Sequence, residues 1–157
     1  GLFRRGRPHD GDALMRLMKT LIPQEQRPLL EVQEADYRPG LGRRIEHWLQ
    51  CEDETWWIIE DDDAIAGAVR AVRKRGTFPN RMEILVRPGC TADLERDLVR
   101  QGLITLKGSP DKPVEASLPQ AMDSLVAALK REGFEESRVL IQMKRTLRRQ
   151  IPVRTKR

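Results

Sequence analysis

The side chains that could hold a metal ion or act as nucleophiles are few and scattered. Cys51 and Cys90 are far apart in the 157-residue chain and belong to no Cys-x-x-Cys pair, and His9 and His47 are the two histidines. A structural zinc site needs four such ligands at short, regular spacings. We therefore expect no metal site, and we expect both cysteines to be free thiols in a reducing cytoplasm.

Two acidic or aromatic motifs also fit structural roles better than ligand binding. The run Asp61-Asp62-Asp63 lacks the glycine and the closing glutamate of a calcium-binding loop, and it predicts a tight hairpin turn. Trp56 and Trp57 are adjacent in an extended segment, where consecutive side chains point to opposite faces. We expect one tryptophan in the core and one partly exposed, not a platform on which bases stack.

The net charge of +5 comes from one end of the chain. Residues 144–157 contain seven Lys and Arg residues and no acidic one, which leaves 22 of the 29 basic residues against all 24 acidic residues elsewhere. A basic terminus can contact RNA or an acidic surface through phosphates. Because no groove-reading motif accompanies it, nucleic-acid binding is not favoured, and we interpret residues 148–157 as a basic tail.

The chain has the length of one ordinary domain, which residues 1–147 are predicted to form. The mean hydropathy is -0.58 and no run of 18 apolar residues occurs, so no membrane segment is predicted. Gly1 stands where an initiator methionine would be, which suits a chain that begins after a removed tag or inside a longer protein.

Apolar periodicity and turn residues divide the chain into elements, with a change from helical to extended spacing at Thr55. Proline and glycine residues separate many of these elements. The predicted order is strand 2–7, helix 13–21, helix 41–49, strands 56–60, 64–73 and 81–86, helix 94–104, strand 113–118, a helix that starts at Pro119 and ends before Gly133, and strand 138–144.

The order β-α-α-β-β-β-α-β-α-β resembles that of the Gcn5-related N-acetyltransferase (GNAT) superfamily, and the resemblance covers nearly the whole chain. It implies an α/β fold, of α+β type, in which helices flank a central mixed, mostly antiparallel sheet. Short motifs occur in the family's order. They are Ile65-Ala66-Gly67, which resembles a hydrophobic-x-Gly strand, Val86-Arg87-Pro88, which resembles Val-x-Pro after the fourth strand, Gly133-Phe134 after an amphipathic helix, and Met143-Lys144 near the end.

In this family acetyl-coenzyme A (acetyl-CoA) lies where the fourth and fifth strands splay apart, so the resemblance implies backbone contacts from Ile84, Leu85 and Val86. It also implies that the loop after Pro88 and the start of the next helix hold the pyrophosphate. The residues carried over for this second part of the site are Gly89, Cys90, Thr91, Ala92 and Arg96.

This loop departs from the family pattern Arg/Gln-x-x-Gly-x-Gly/Ala, because no glycine follows Gly89 in it. Glycines there let backbone N–H groups approach phosphate oxygens. Asp93, Glu95 and Asp97 instead place carboxylates at or near the positive end of the helix, where they are expected to repel a pyrophosphate. Arg96 and Arg100 are expected to offset this repulsion in part. The alternative interpretation is an ordinary helix that starts with acids and binds no ligand.

Acetylation of an amine needs a group that removes the amine's proton. The resemblance implies Glu83, on the fourth strand beside the acetyl position, as this base, although strand alternation also allows an outward-facing structural glutamate. The family's tyrosine that returns a proton to the leaving thiolate is replaced by Leu129. Tyr37, between the first two predicted helices, is a candidate contact for the acceptor.

Three hypotheses follow from these residues. The first is a cytoplasmic GNAT-family acetyltransferase that moves an acetyl group from acetyl-CoA to an unidentified amine. The second is a non-catalytic GNAT-like binding or regulatory module, part of a larger or tandem protein. Exposed strands at the end of the sheet are compatible with a homodimer or with a tandem GNAT partner domain. The third is an RNA-associated protein that uses the basic tail.

Overall fold

The computed structural model describes residues 2–22, 52–108, 112–118 and 122–137. No helix in these ranges is long and apolar enough to cross a bilayer. Several predicted features lie outside the described residues, namely helix 41–49, strand 138–144, Tyr37, His47, Cys51 and the basic tail.

A five-stranded sheet forms the centre of the fold, with its strands in chain order from one edge to the other. Neighbouring strands are antiparallel except for the last pair, which is parallel. The strands are β1 (Arg4–Arg5), β2 (Glu52–Asp61), β3 (Ala64–Lys74), β4 (Asn80–Val86) and β5 (Val114–Ser117). The sheet is therefore mixed and mostly antiparallel, which confirms the fold class that the resemblance implied.

The hairpin between β2 and β3 turns on the predicted acidic run. Asp62 and Asp63 have φ angles of 50° and 58°, in the left-handed region that Asp adopts more readily than most residues. Two such residues in succession match the turn geometry that fits twisted strands. The predicted hairpin is confirmed, although β1 is shorter and β2 begins earlier than the sequence pattern indicated.

Helices cover both faces of the sheet. They are α1 (Gly11–Leu21), which follows a 3-10 turn, α2 (Ala92–Leu106) and α3 (Asp123–Arg131). Side chains alternate along β4, so Leu85 packs under α1 while Ile84 packs on the opposite face with α2 and α3. Helix α3 begins at Asp123, after an extended Met122, and thus later than the predicted start at Pro119.

Two glycines let α2 lie close to β3 and β4. A Cβ at Gly67 on β3 would lie 2.6 Å from Leu98 Cδ1. A Cβ at Gly102 on α2 would overlap the Met82 sulfur and lie 2.9 Å from Val69 Cγ2. Real Cβ atoms essentially never approach other heavy atoms this closely, so a side chain at either position would require the Leu98 or the Met82 side chain to shift.

A buried carboxylate ties β1 to the start of α1. Asp10 is 4% exposed and accepts hydrogen bonds from both terminal nitrogens of Arg4 at 2.8 Å and from the Arg7 amide at 2.6 Å. Burial favours the neutral acid, but these donors outweigh it and hold the pKa of Asp10 below its ordinary value of 3.8. The stability that this group contributes is present above pH 3.8 and is lost as the pH falls through the lower folded pKa.

We expect Gly102→Ala to destabilise the protein by about 1–3 kcal/mol, because the added methyl group overpacks the contact with Met82 and Val69. At an unobstructed helix position, replacing glycine by alanine would instead raise the free energy of unfolding by about 1 kcal/mol. The sign of the change in that free energy therefore shows whether Gly102 is obstructed. Urea unfolding gives the free energies, with Gln101→Ala as the control on the same helix. An unfolding free energy for Gly102→Ala at or above that of the wild type would contradict the close packing.

We expect Asp10→Asn to lower the free energy of unfolding at neutral pH by about 2 kcal/mol, because charge-assisted hydrogen bonds are lost. This deficit should shrink as the pH falls below 3.8, because the carboxyl group takes up a proton in the unfolded wild type before it does so in the folded protein. Urea titrations from about pH 7 to about pH 2.5 measure it. The control is Asp12→Asn, at an exposed residue of α1. A deficit that stays constant over this range would show that the Asp10 charge does not stabilise the fold.

Candidate functional site

The carboxyl end of β4 extends beyond the strand beside it. The last pair between β4 and β5 joins Glu83 to Ser117. On the other side, the amide after the strand end still bonds to β3, because Arg87 donates to the Ala66 carbonyl at 2.8 Å. The final residues of β4 are therefore held by β3 while one edge has no strand partner among the described residues.

The backbone of Val86 faces this open edge. The Asn80 amide donates to the Pro113 carbonyl at 3.0 Å, on the β5 side. Backbone groups alternate between the two sides of a strand, so every second residue after Asn80, including Val86, faces that side. Val86 as a whole is 1% exposed, so an extended ligand would bond to its N–H and C=O, as an added strand does, only after the residues that cover this edge move aside.

The side chains of this segment are structural. Ile84, Leu85 and Val86 are at most 1% exposed. Ile84 and Val86 belong to the core under α2 and α3, and Leu85 belongs to the core under α1. A ligand on the β5 side of β4 would thus contact the backbone of Ile84 and Val86 and not their side chains, because the Leu85 backbone faces β3.

Glu83 lies at the last β4–β5 pair, on the face covered by α1. It continues a cross-strand row from Trp56 on β2 through Arg70 on β3. Arg70 Nη1 is 3.4 Å from Glu83 Oε2, and Arg70 Nη2 is 3.0 Å from Glu54 Oε2. The guanidinium carbon lies 5.7 Å from the centroid of the Trp56 ring, within range of a cation–π contact. The Glu83 side chain is 22% exposed, so it is a half-buried and ion-paired carboxylate.

We name Glu54, Trp56, Arg70 and Glu83 the Arg70 cluster. Burial disfavours the Arg70 charge, but the attraction of Glu54 and Glu83 outweighs it and raises the pKa of Arg70 above its ordinary value. Arg70 therefore stays charged while it holds two carboxylates, and the cluster has a net charge of −1 when both are ionised. The Arg70 Nε is buried and has no hydrogen-bond partner in the described ranges.

The sequence pattern alone did not single out Arg70 or Glu54. The available signal was Arg70 within residues 64–72 of β3, where every other residue is apolar or glycine. Its significance depends on the register that puts Arg70 directly opposite Glu83, and that register is known only from the sheet.

Internal hydrogen bonds close the loop from β4 to α2. Gly89 has a φ of 87°, which favours glycine, and the half-buried Cys90 thiol lies 3.7 Å from the Ala66 carbonyl. Thr91 is the N-cap of α2, and its hydroxyl accepts the Leu94 amide at 3.4 Å. Thr91 thus engages one of the N–H groups that a phosphate at this helix end would use.

The first turns of α2 carry one paired and one buried acid. Asp93 is exposed and lies 2.9 Å from Arg96. Arg96, a predicted phosphate ligand, is therefore paired with a carboxylate of its own helix. Glu95 is 2% exposed. One Glu95 oxygen accepts the Ser124 hydroxyl of α3 at 2.8 Å, and the other is buried without a partner among the described residues.

The predicted residues form one continuous path from β4 through the loop to Ala92, the first residue of α2. Leu129, which stands where the resemblance would place a tyrosine, is 7% exposed and packs in the core under α2 and α3. A leucine side chain supplies no hydroxyl group there. Two cavities, of about 310 and 270 Å³, lie at the other end of α2, around Ile104 and Leu106. They are separate from the predicted site.

No protein-family model and no curated protein matches this chain. Solved structures do match its fold. A putative acetyltransferase from Agrobacterium tumefaciens is 16% identical with a TM-score of 0.58, and the match covers 92% of this chain and 100% of that one. Glucosamine-6-phosphate N-acetyltransferase from Arabidopsis thaliana is 15% identical with a TM-score of 0.56, over 94% and 98% of the two chains.

A third match is the aminoglycoside N-acetyltransferase AAC(6')-Iy in complex with CoA, at 16% identity and a TM-score of 0.53, over 92% of this chain and 100% of that one. These matches span almost the whole chain, and their identities are low enough that they show the fold alone. The resemblance inferred from the sequence is confirmed at that level, and this chain has the fold of the GNAT acetyltransferases.

Proposed function

We propose that this chain is an N-acetyltransferase that moves an acetyl group from the pantetheine thioester of acetyl-CoA to an amine. The observation that carries the proposal is the end of β4 at Val86, which has no strand partner on the β5 side among the described residues and lies on the same strand as the half-buried carboxylate of Glu83. Two fold relatives are named as N-acetyltransferases, one of an amino sugar phosphate and one of aminoglycosides in complex with CoA. Their names support the same class of reaction here.

The two halves of acetyl-CoA fit the described residues differently. The pantetheine arm carries amides that match the N–H and C=O of Val86. The diphosphate would have to approach the start of α2, where the buried Glu95 has an oxygen without a partner. A carboxylate already uses the positive end of that helix and repels another anion. The residues present fit the arm and do not fit the diphosphate.

The proposed chemistry needs little from the side chains. Acetyl-CoA supplies an acetyl group that is already activated as a thioester. An amine is protonated at neutral pH and must lose a proton before it attacks, and in our proposal Glu83 accepts that proton. Arg70 holds the Glu83 carboxylate in one orientation, and Glu54 holds Arg70. Because Leu129 has no hydroxyl group, the leaving thiolate takes its proton from water.

A specific set of observations favours a second candidate, a non-catalytic GNAT-like binding or regulatory module. The Glu83 carboxylate is engaged by Arg70, Leu129 is packed in the core, and α2 begins with acids. Such a chain would keep the fold and present a surface to a partner, for example a second acyltransferase domain. Binding of a thioester donor separates the two candidates, since the module has no need of one.

We expect acetyl-CoA to bind the full chain with a dissociation constant between about 1 and 100 μM, because two backbone hydrogen bonds and the buried arm contribute to affinity. Isothermal titration calorimetry measures it, and a rise in the unfolding temperature with ligand concentration provides a second readout. If acetyl-CoA gives no heat and no thermal shift at concentrations up to about 5 mM, the acetyltransferase proposal is refuted and the non-catalytic module remains.

We expect Glu83→Gln to lower kcat by at least about 100-fold and to leave donor affinity unchanged, because the proton acceptor is lost while the Val86 backbone is untouched. The assay follows thiol release from acetyl-CoA with a panel of amines, comprising a polyamine, a lysine peptide, an amino sugar and an aminoglycoside. The matched control is Glu115→Gln, at an exposed glutamate of β5, which should keep wild-type kcat. Equal kcat values for the two variants would remove Glu83 from the mechanism.

A further inference from the structure

The start of α2 already contains its own buried anion. Glu95 is 2% exposed and lies in the first turns of α2, and its bonded partner Ser124 lies in the first turn of α3. The carboxyl group therefore lies close to the amino-terminal turns of both helices. Its second oxygen is buried and has no hydrogen-bond partner among the described residues.

The arginines around this end of the sheet are also engaged. Arg87 lies 2.8 Å from Asp61, Arg96 lies 2.9 Å from Asp93, and Arg100 Nε lies 2.8 Å from Glu132. Each cation has a carboxylate partner, and further acids lie nearby. They are Asp62 and Asp63 in the hairpin turn, Asp97 on α2 and Asp123 at the start of α3.

We infer that this site recognises its donor by the acyl-pantetheine arm alone, and that the phosphorylated nucleotide half of CoA adds no affinity. The inference rests on the proposed function, because it requires a donor along β4. The arm is uncharged and bonds to the neutral backbone of Val86. The nucleotide half carries phosphates and would meet Asp93 and Glu95 at the helix end. Repulsion at that end balances or exceeds whatever the remaining N–H groups contribute.

The direct test is calorimetry on the full chain with three probes, acetyl-CoA, S-acetyl-pantetheine and 3′-phosphoadenosine 5′-phosphate. We expect the two thioesters to have dissociation constants within about threefold of each other, and the nucleotide to give no heat. Raising the salt concentration from about 50 to about 300 mM should leave acetyl-CoA affinity unchanged or improve it, since screening weakens repulsion.

Two other results have separate meanings. If acetyl-CoA binds at least about tenfold more tightly than S-acetyl-pantetheine and weakens with salt, the inference is overturned while the proposed acetyltransferase stands. If neither thioester binds, the proposed function is overturned and the inference falls with it.

Variants of the two acids test the cause. We expect the double variant Asp93→Asn/Glu95→Gln to bind acetyl-CoA at least about fivefold more tightly than the wild type, with S-acetyl-pantetheine affinity unchanged. Asp93→Asn alone changes a 79%-exposed side chain and serves if the buried substitution prevents folding, with an expected gain of about two- to threefold. The control is Asp12→Asn, which removes an acid from the first turn of α1 on the other face. Unchanged acetyl-CoA affinity in the acid variants would overturn the inference.

Discussion

The packing of α2 against β3 and β4 determines what the rest of the site can be. A Cβ at Gly67 or Gly102 would displace the Leu98 or the Met82 side chain, so in its present position the helix packs closely on β3 and on Met82. This contact fixes the first turn of α2 beside the end of β4. It also fixes the acids of that turn, because Glu95 is enclosed between α2 and α3 and cannot turn away from an approaching ligand.

Local sequence signals were sufficient for the parts of the fold that depend on one segment. The acidic run predicted a tight turn, and two consecutive left-handed aspartates form it. Alternation predicted one buried and one partly exposed tryptophan, and Trp56 is 3% exposed in the core under α1 while Trp57 is half-buried on the other face. The order of elements was sufficient to identify the GNAT fold, because it combines many weak local signals.

Features that depend on contacts between segments could not be predicted in the same way. The ion pair between Arg70 and Glu83 requires the register of β3 and β4. An acid in the first turn of a helix normally faces water, so the pattern gave no sign that α3 covers Glu95. The start of α3 was also misplaced, because Pro119 suits a first helical turn while Met122 remains extended.

Glu83 and Glu95, the two carboxyl groups nearest the candidate site, have different polar partners. Glu83 faces a permanent cation and is 22% exposed, so its charge is stabilised where a substrate could still reach it. Glu95 has no salt bridge among the described residues, accepts a hydrogen bond from the Ser124 hydroxyl group, and lies at the helix end that an incoming phosphate would need. In the proposed function, Glu83 is the acid that accepts a proton and Glu95 occupies the anion position. An uncharged arm along β4 is the ligand that this proposal requires.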